Sequence, residues 1–284
     1  MIAVMNNLAY AHTPDADDAF MLYALTNSKI SSPTVKIVDI VKTMQELNRD
    51  ALEGMHDISA LSCGMYPHVS GAYTLLPTGV CMGFGYGPTI MSQNPLTKEE
   101  LSGSTIAVPG SLTTAYLMLR LFDPSIKTIE LKFDAIPEAI KSGEVTAGLI
   151  IHEVQLTYKQ WGFHKVVDLG EWWQEQTGLP LPLGGNVVRR SLGKDIIEEV
   201  GRLLKASIQY CLDHRQAALE FAMRYARGLS LEQADKFIGL YVNESTLDCG
   251  SSGKAALEKM YELAYEKGII KNRVLLDFCT ISHS

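Results

Sequence analysis

No run of lysine or arginine occurs anywhere in the 284 residues, and the formal charge is −7. A binder of phosphate backbones needs a basic face, so nucleic acid is not an expected partner. No C-x-x-C pair is present either. The five cysteines, at 63, 81, 211, 249 and 279, are scattered, which removes the spacing of a zinc site or a thioredoxin-like motif. An odd, dispersed set fits a reducing compartment better than a disulfide framework. No apolar run reaches membrane-spanning length. Residues 1–11 carry no basic group and only a short apolar run, so they read as a buried first strand rather than a secretory leader. A cytoplasmic protein without a membrane partner is the expectation. The glycine-rich tract from Gly83 to Pro88 lacks the lysine of a P-loop and opens no clear helix, so it reads as close backbone packing beside a cleft.

What remains is ordinary globular material. At 46% hydrophobic and 20% charged residues, the chain can bury the core of one large or two medium domains. Strand-like and helix-like segments alternate, which favours an α/β architecture. Strands are expected at 8–11, 35–41, 57–61, 105–108, 129–133, 147–151 and 165–168, and helices at 17–27, 43–53, 113–121 and 136–141. A polar break at 92–100 marks a boundary. From residue 194 the pattern turns helical, over 195–214, 216–225, 231–241 and 254–266. Such a terminal stretch packs back on the first unit. Residues 1–91 with 189–284 are therefore expected to form one α/β lobe, and 92–188 a second, with a cleft between them. The tract 177–186, with two prolines and two adjacent glycines, reads as a rigid loop that crosses between lobes or lines a substrate.

Few residues carry the marks of chemistry. The segment 147–158 reads as an apolar strand that delivers His152 at its carboxyl end, where ligands sit in open α/β sheets. An imidazole with its ordinary pKa of about 6.5 suits proton abstraction near neutrality; the plainer reading is a packing histidine. Glu153 follows, and neighbouring strand residues point to opposite faces, so it is expected to support structure. At 106–120 a strand runs into Pro109-Gly110 and a helix opens near Thr113. Its unpaired N–H groups, with the hydroxyls of Ser111, Thr113 and Thr114, would seat a carboxylate; Ser111 or Thr113 could equally be a simple N-cap. Asn186 offers both a donor and an acceptor. Ser59 and Ser62 close another strand and could face the cleft, while Tyr66 and His68 beyond them stay ambiguous. Between His12 and Phe20, the acids Asp15, Asp17 and Asp18 could ligate a divalent metal with help from His12; the stronger reading is that they cap the following helix and complement its dipole.

Several of these pieces together resemble one family. Pro109-Gly-Ser-Leu-Thr-Thr-Ala-Tyr116, the tract 147–158 with Ile-His-Glu-Val-Gln-Leu-Thr-Tyr, Asp168-Leu-Gly-Glu-Trp-Trp173, and 177–186 followed by Arg189-Arg190 match in order and spacing. The chain is similar to the menaquinone-biosynthesis family of the futalosine route, and within it to the branch that forms 1,4-dihydroxy-6-naphthoate. Weaker similarity, including Leu47-Asn-Arg-Asp-Ala-Leu-Glu-Gly54, spans nearly the whole length. The resemblance implies a two-lobed periplasmic-binding-protein-like (type II) α/β fold with a central interdomain cleft. It also implies a cofactor-independent lyase acting on cyclic dehypoxanthine futalosine, with His152 as base and the hydroxyls of Thr113 and Thr114 on the substrate. The expected substrate contacts are Thr13, Asp18, Ser59, Ser62, Gly110, Ser111, Thr113, Thr114 and Asn186, with no metal site. The expected partner is a small carboxylate-bearing substrate; a homodimer is left open. One segment departs from the family, whose first strand-to-helix junction usually reads Ser-Pro-Cys-Pro-Asn-Asp-Thr-Phe. Here Thr13, Pro14, Asp18 and Phe20 keep the pattern, while Asp15 and Asp17 add two acids that change the field of the cleft and point to a divergent branch. Two rival readings remain: chorismate dehydration on the same fold, which the motif around His152 disfavours, and a solute-binding protein feeding a transporter, which the want of a leader disfavours.

Overall fold

The computed structural model describes residues 5–151, 154–226 and 228–279. Among them run eleven strands: β1 Asn6–His12, β2 Val35–Val41, β3 Ile58–Ser62, β4 Tyr73–Leu75, β5 Cys81–Gly83, β6 Thr89–Ser92, β7 Thr105–Val108, β8 Lys127–Glu130, β9 Ala147–Ile150, β10 His164–Asp168 and β11 Leu181–Arg189. The first sheet has the order β2-β1-β3-β11-β4, with β5 also pairing β11. Its strands β1, β2 and β3 are parallel, and β11 runs antiparallel to its neighbours. The second sheet has the order β10-β6-β9-β7-β8; β7 is parallel to β8 and β9, and β6 is antiparallel to β9 and β10. Central strands such as Ile58–Ser62 and Ala147–Ile150 are buried at every residue, as expected of strands covered on both faces.

Sheet membership moves two expected boundaries. The limits at 91/92 and 188/189 fall inside β6 and β11. The chain passes from the first sheet to the second at 84–88 and returns at 178–180, so 89–92 belong to the second sheet and 181–188 to the first. The tract expected as a loop is mostly the long strand β11. Pro182 is tolerated there because the ladder with β5 shifts register between Pro182 and Gly184, and a bulge is a place where a missing N–H is cheap.

The two largest of four cores among the described residues hold most of these sheets. In the first, the helix Ala16–Thr26 packs against Lys194–Asp213, Arg215–Ala222 and Leu231–Tyr241. The longest of these buries Ile197, Val200, Leu204, Ile208 and Cys211, the three- and four-residue spacing of one apolar stripe. The terminal helices thus pack back on the first sheet. The second core crosses between sheets: Leu61, Tyr73 and Leu75 join Ile106, Val108 and Leu149, with Trp173 and Tyr261 between them. Trp173 is fully buried and its Nε1 donates to the Pro180 carbonyl at 3.0 Å. Truncating such a side chain costs about 3–5 kcal/mol, and here the loss would loosen both sheets at once.

Candidate active site

Two strand-to-helix junctions face one cavity of about 820 Å³, part of it open to solvent. The first junction follows β1. Thr13 is buried, and both its N–H and its hydroxyl donate to Asp18 Oδ2, at 2.9 and 2.7 Å. Asp18 stands in the first turn of the helix Ala16–Thr26, where the dipole favours a carboxylate. Burial nevertheless pushes its pKa above the usual carboxylate range, against the opposing pull of His12 and of the Thr13 bonds. Asp15 takes the N-cap position but makes no side-chain capping bond. The acids therefore act on this helix end through the dipole and not as the expected cap. Nor do His12 and the acids converge on an ion: among the described residues no group of three or more His, Cys, Asp or Glu is arranged to hold a metal. His12 points the other way. Its Nδ1 donates to the Thr13 carbonyl at 2.7 Å, and its Nε2 meets Asp39 Oδ1 at 2.7 Å. Burial alone would lower the ring's pKa, but the bond to Asp39 and the charge of Asp18 outweigh it and raise it above 6.5.

The second junction follows β7. Thr113 is the N-cap of the helix Thr114–Phe122: its hydroxyl accepts from Tyr116 N–H at 3.2 Å and donates to the Gly110 carbonyl at 2.8 Å. The Thr114 hydroxyl accepts from Gly64 N–H at 2.9 Å and donates to the Leu183 carbonyl at 2.6 Å. These bonds tie the second junction to the first sheet. Thr113, Thr114 and Ala115 all line the cavity. Thr114 and Ala115 stand in the first turn of their helix, where backbone N–H groups have no intrahelical acceptor.

Three residues expected as contacts do not line the cavity. Ser59 is fully buried off the cavity, its hydroxyl donating to the Ala60 carbonyl at 2.8 Å. On a strand, residues three apart point to opposite faces, so Ser62 and Ala60 reach the cavity and Ser59 does not. Ser111 is exposed off the cavity wall, and its N–H is already occupied by Glu130 Oε1 at 3.0 Å. Gly110 is a spacer: its φ is +148°, and a Cβ there would lie 2.2 Å from Gln45 Oε1 of the facing helix Met44–Leu52. Of the segment 110–114, expected to seat a carboxylate, Thr113 and Thr114 are the residues that line the cavity.

Thr13, Asp18, Ser62, Thr113, Thr114 and Asn186 line the cavity. Asn186 is largely committed to the fold, its Oδ1 accepting from Tyr10 OH at 2.7 Å and its Nδ2 donating to the Gly79 carbonyl at 3.0 Å. His152 and Glu153 lie outside the described residues; Ile151 and Gln155, which bracket them, line the cavity. The Gln155 amide donates to the Gly87 and Ile150 carbonyls, each at 3.0 Å. The tract from Gly83 to Pro88 packs as expected: a Cβ on Gly83 would meet the Tyr86 carbonyl at 2.2 Å. Tyr66 and His68 are not cavity residues.

Asn48 was not singled out from the sequence. It is fully buried, donates to Ser62 Oγ at 3.1 Å and to the Leu112 carbonyl at 3.0 Å, and accepts from Ser62 N–H at 3.1 Å. It both orients Ser62 and clasps the second junction. An asparagine beside Leu47 on the apolar stripe of an amphipathic helix was the available signal, since buried polar groups need partners. No lysine or arginine lines the cavity among the described residues. An anionic group there must be held by N–H and hydroxyl donors, away from the acids of the first junction.

A family model described as menaquinone biosynthesis matches residues 8–266. A Thermus thermophilus protein named 1,4-dihydroxy-6-naphthoate synthase is 38% identical over 265 residues, covering 93% of this chain and 96% of that protein. A crystallised protein from Archaeoglobus fulgidus is 41% identical and superposes with a TM-score of 0.89, covering 93% of this chain and 98% of its own. The alkanesulfonate-binding protein of Xanthomonas axonopodis pv. citri superposes with a TM-score of 0.71 at 13% identity, over 96% of this chain and 97% of that one. The last likeness concerns the fold alone, and it is the periplasmic-binding-protein-like fold that the sequence resemblance implied.

Proposed function

The chain belongs to the menaquinone-biosynthesis family, and on that footing we propose that it is a lyase forming 1,4-dihydroxy-6-naphthoate from cyclic dehypoxanthine futalosine. The observation that carries this reading is the polarity of the cavity. Thr114 and Ala115, in the first turn of the helix after β7, and the acids Asp15, Asp17 and Asp18, at the helix end after β1, line the same cavity. A substrate with a carboxylate at one end and hydroxyls at the other has one favourable orientation in such a field. The carboxylate sits at the helix end; the hydroxyl-bearing part turns toward Asp18 and Ser62. Ser62 Oγ already accepts from Asn48, so its O–H is the donor left for a ligand.

His152 acts as the general base in this proposal. Its neighbours in the chain, Ile151 and Gln155, line the cavity, which supports the assignment. The neutral imidazole takes a proton, the carbon–carbon bond to the three-carbon fragment breaks, and its electrons pass into the ring that becomes aromatic. Aromatisation supplies the driving force, so the step needs no redox partner. The test is incubation of purified protein with cyclic dehypoxanthine futalosine, and separately with chorismate, with products followed by mass. We expect 1,4-dihydroxy-6-naphthoate and a three-carbon fragment from the first and nothing from the second. A general base is worth about 10²–10⁴-fold; His152→Asn should lose that much in kcat while substrate binding survives. Wild-type kcat in that variant removes the histidine from the mechanism.

A further inference from the structure

We propose that His12 is a positioning residue: a buried imidazolium, pinned by Asp39, that through Thr13 holds Asp18 as an ionised hydrogen-bond acceptor on the cavity wall. The first ground is the bonding of the ring. Nδ1 faces a carbonyl oxygen, which cannot donate, and Nε2 faces a carboxylate oxygen, both at 2.7 Å. An imidazole that donates from both nitrogens is the charged form. The ring is 3% exposed while Asp39 is 41% exposed, so the pair places one charge inside the first lobe and its counter-charge at the surface.

The second ground is the path from the ring to the cavity. Thr13 accepts from His12 through its carbonyl and donates to Asp18 through its N–H and hydroxyl. Both donations fall on Oδ2. Oδ1 has no hydrogen bond among the described residues, although Asp18 is buried and lines the cavity. A buried carboxylate with one oxygen saturated and the other open is built to accept from a ligand hydroxyl. The third ground is the charge balance around it. Burial and the charge of Asp15 both favour the neutral acid, while His12 favours the anion. Asp17 lines the same wall. Tyr10 and Cys81, which also face Asp18, are pushed well up by burial and stay uncharged near neutrality. With no lysine or arginine on the cavity among the described residues, His12 is the positive charge that opposes neutralisation, beside the two donations from Thr13.

The test uses the full chain and two variants, His12→Gln, which keeps a donor for the Thr13 carbonyl without the charge, and Asp39→Asn at the half-exposed end. Histidine labelled with 15N reads the ring, assigned by the signals missing in His12→Gln. Two ring N–H signals at pH 7 are expected, with the second lost only on further alkalinisation; Asp39→Asn should move that loss to lower pH by about one unit. Aspartate labelled with 13C at the carboxyl reads Asp18, assigned with Asp18→Asn. Its midpoint should rise by about one unit in His12→Gln and by less in Asp39→Asn. A neutral ring at pH 6–7, or an Asp18 midpoint unmoved in both variants, overturns the proposal. If His12→Gln does not fold, the Asp18 midpoint in Asp39→Asn decides, because its assignment needs only Asp18→Asn. A kinetic arm rests on the lyase reading: with cyclic dehypoxanthine futalosine, His12→Gln should raise KM about tenfold and move the acidic limb of kcat/KM to higher pH. An inactive wild type sinks the lyase reading and leaves the NMR result standing or falling by itself.

Discussion

The junction after β1 and the junction after β7 each carry the chain from the end of a parallel strand into a helix, and both line the same cavity. The first reads Thr-Pro-Asp-Ala-Asp-Asp and presents carboxylates. The second reads Pro-Gly-Ser-Leu-Thr-Thr and presents backbone donors. Their hydroxyls also differ in use. Thr13 serves Asp18 within its own junction, whereas Thr114 bonds Gly64 and Leu183 across to the first sheet. Equivalent topology therefore yields opposite polarity, and a threonine at the mouth of a helix can clasp the facing sheet while it lines the cavity.

The largest expected effect breaks the clasp. Thr114→Val removes both bonds and strands Gly64 N–H and the Leu183 carbonyl; leaving a buried group unsatisfied costs about 1–3 kcal/mol. Urea unfolding should show it, and a loss of only a few tenths would mean that the two junctions are not energetically joined. Thr113→Ala tests the local role beside it. Loss of an N-cap costs about 1 kcal/mol, and since the N–H groups of Thr114 and Ala115 remain, substrate affinity should change less than stability. The smallest effect belongs to the first junction and depends on pH. The folded-state pKa of His12 is raised, so the stabilisation from its bond to Asp39 is fully present below 6.5, the ring's ordinary value, and fades as pH rises through the raised value. Asp39→Asn should therefore lower stability at pH 6 and converge on the wild type in alkali. Because Asp39 is substantially exposed, solvent screening keeps the difference small. Equal destabilisation at both ends of the range would point to packing instead of charge.

Local pattern was a good guide wherever one period ran unbroken. The strands Val35–Val41 and Thr105–Val108 and the helices Ile136–Lys141 and Leu231–Tyr241 fall at the limits their side-chain spacing indicates. It failed over 181–186, where Pro182 and Gly184-Gly185 mimic a loop and only pairing with neighbouring strands extends β11. In the site, Thr13, Asp18, Ser62, Thr113, Thr114 and Asn186 reach the cavity, while Ser59, Gly110 and Ser111 do not. Ser59 was legible in hindsight, because its odd spacing from Ser62 forces opposite faces. Ser111 was not, because Glu130, the carboxylate that takes its N–H, arrives from β8.

Composition and periodicity determined that this chain makes covered strands alternating with amphipathic helices, and its motifs named the two junctions where chemistry was to be sought. Those properties are local, set within a few residues by side-chain size, branching and polarity. Which donors remain available to a ligand was decided only by tertiary structure. Tyr10 engages Asn186 from 176 positions away, and Gly64 engages Thr114 from 50. A hydrogen-bonding group spent on a distant partner looks the same in sequence as one left open, and the difference appears only when the folded chain brings the two together.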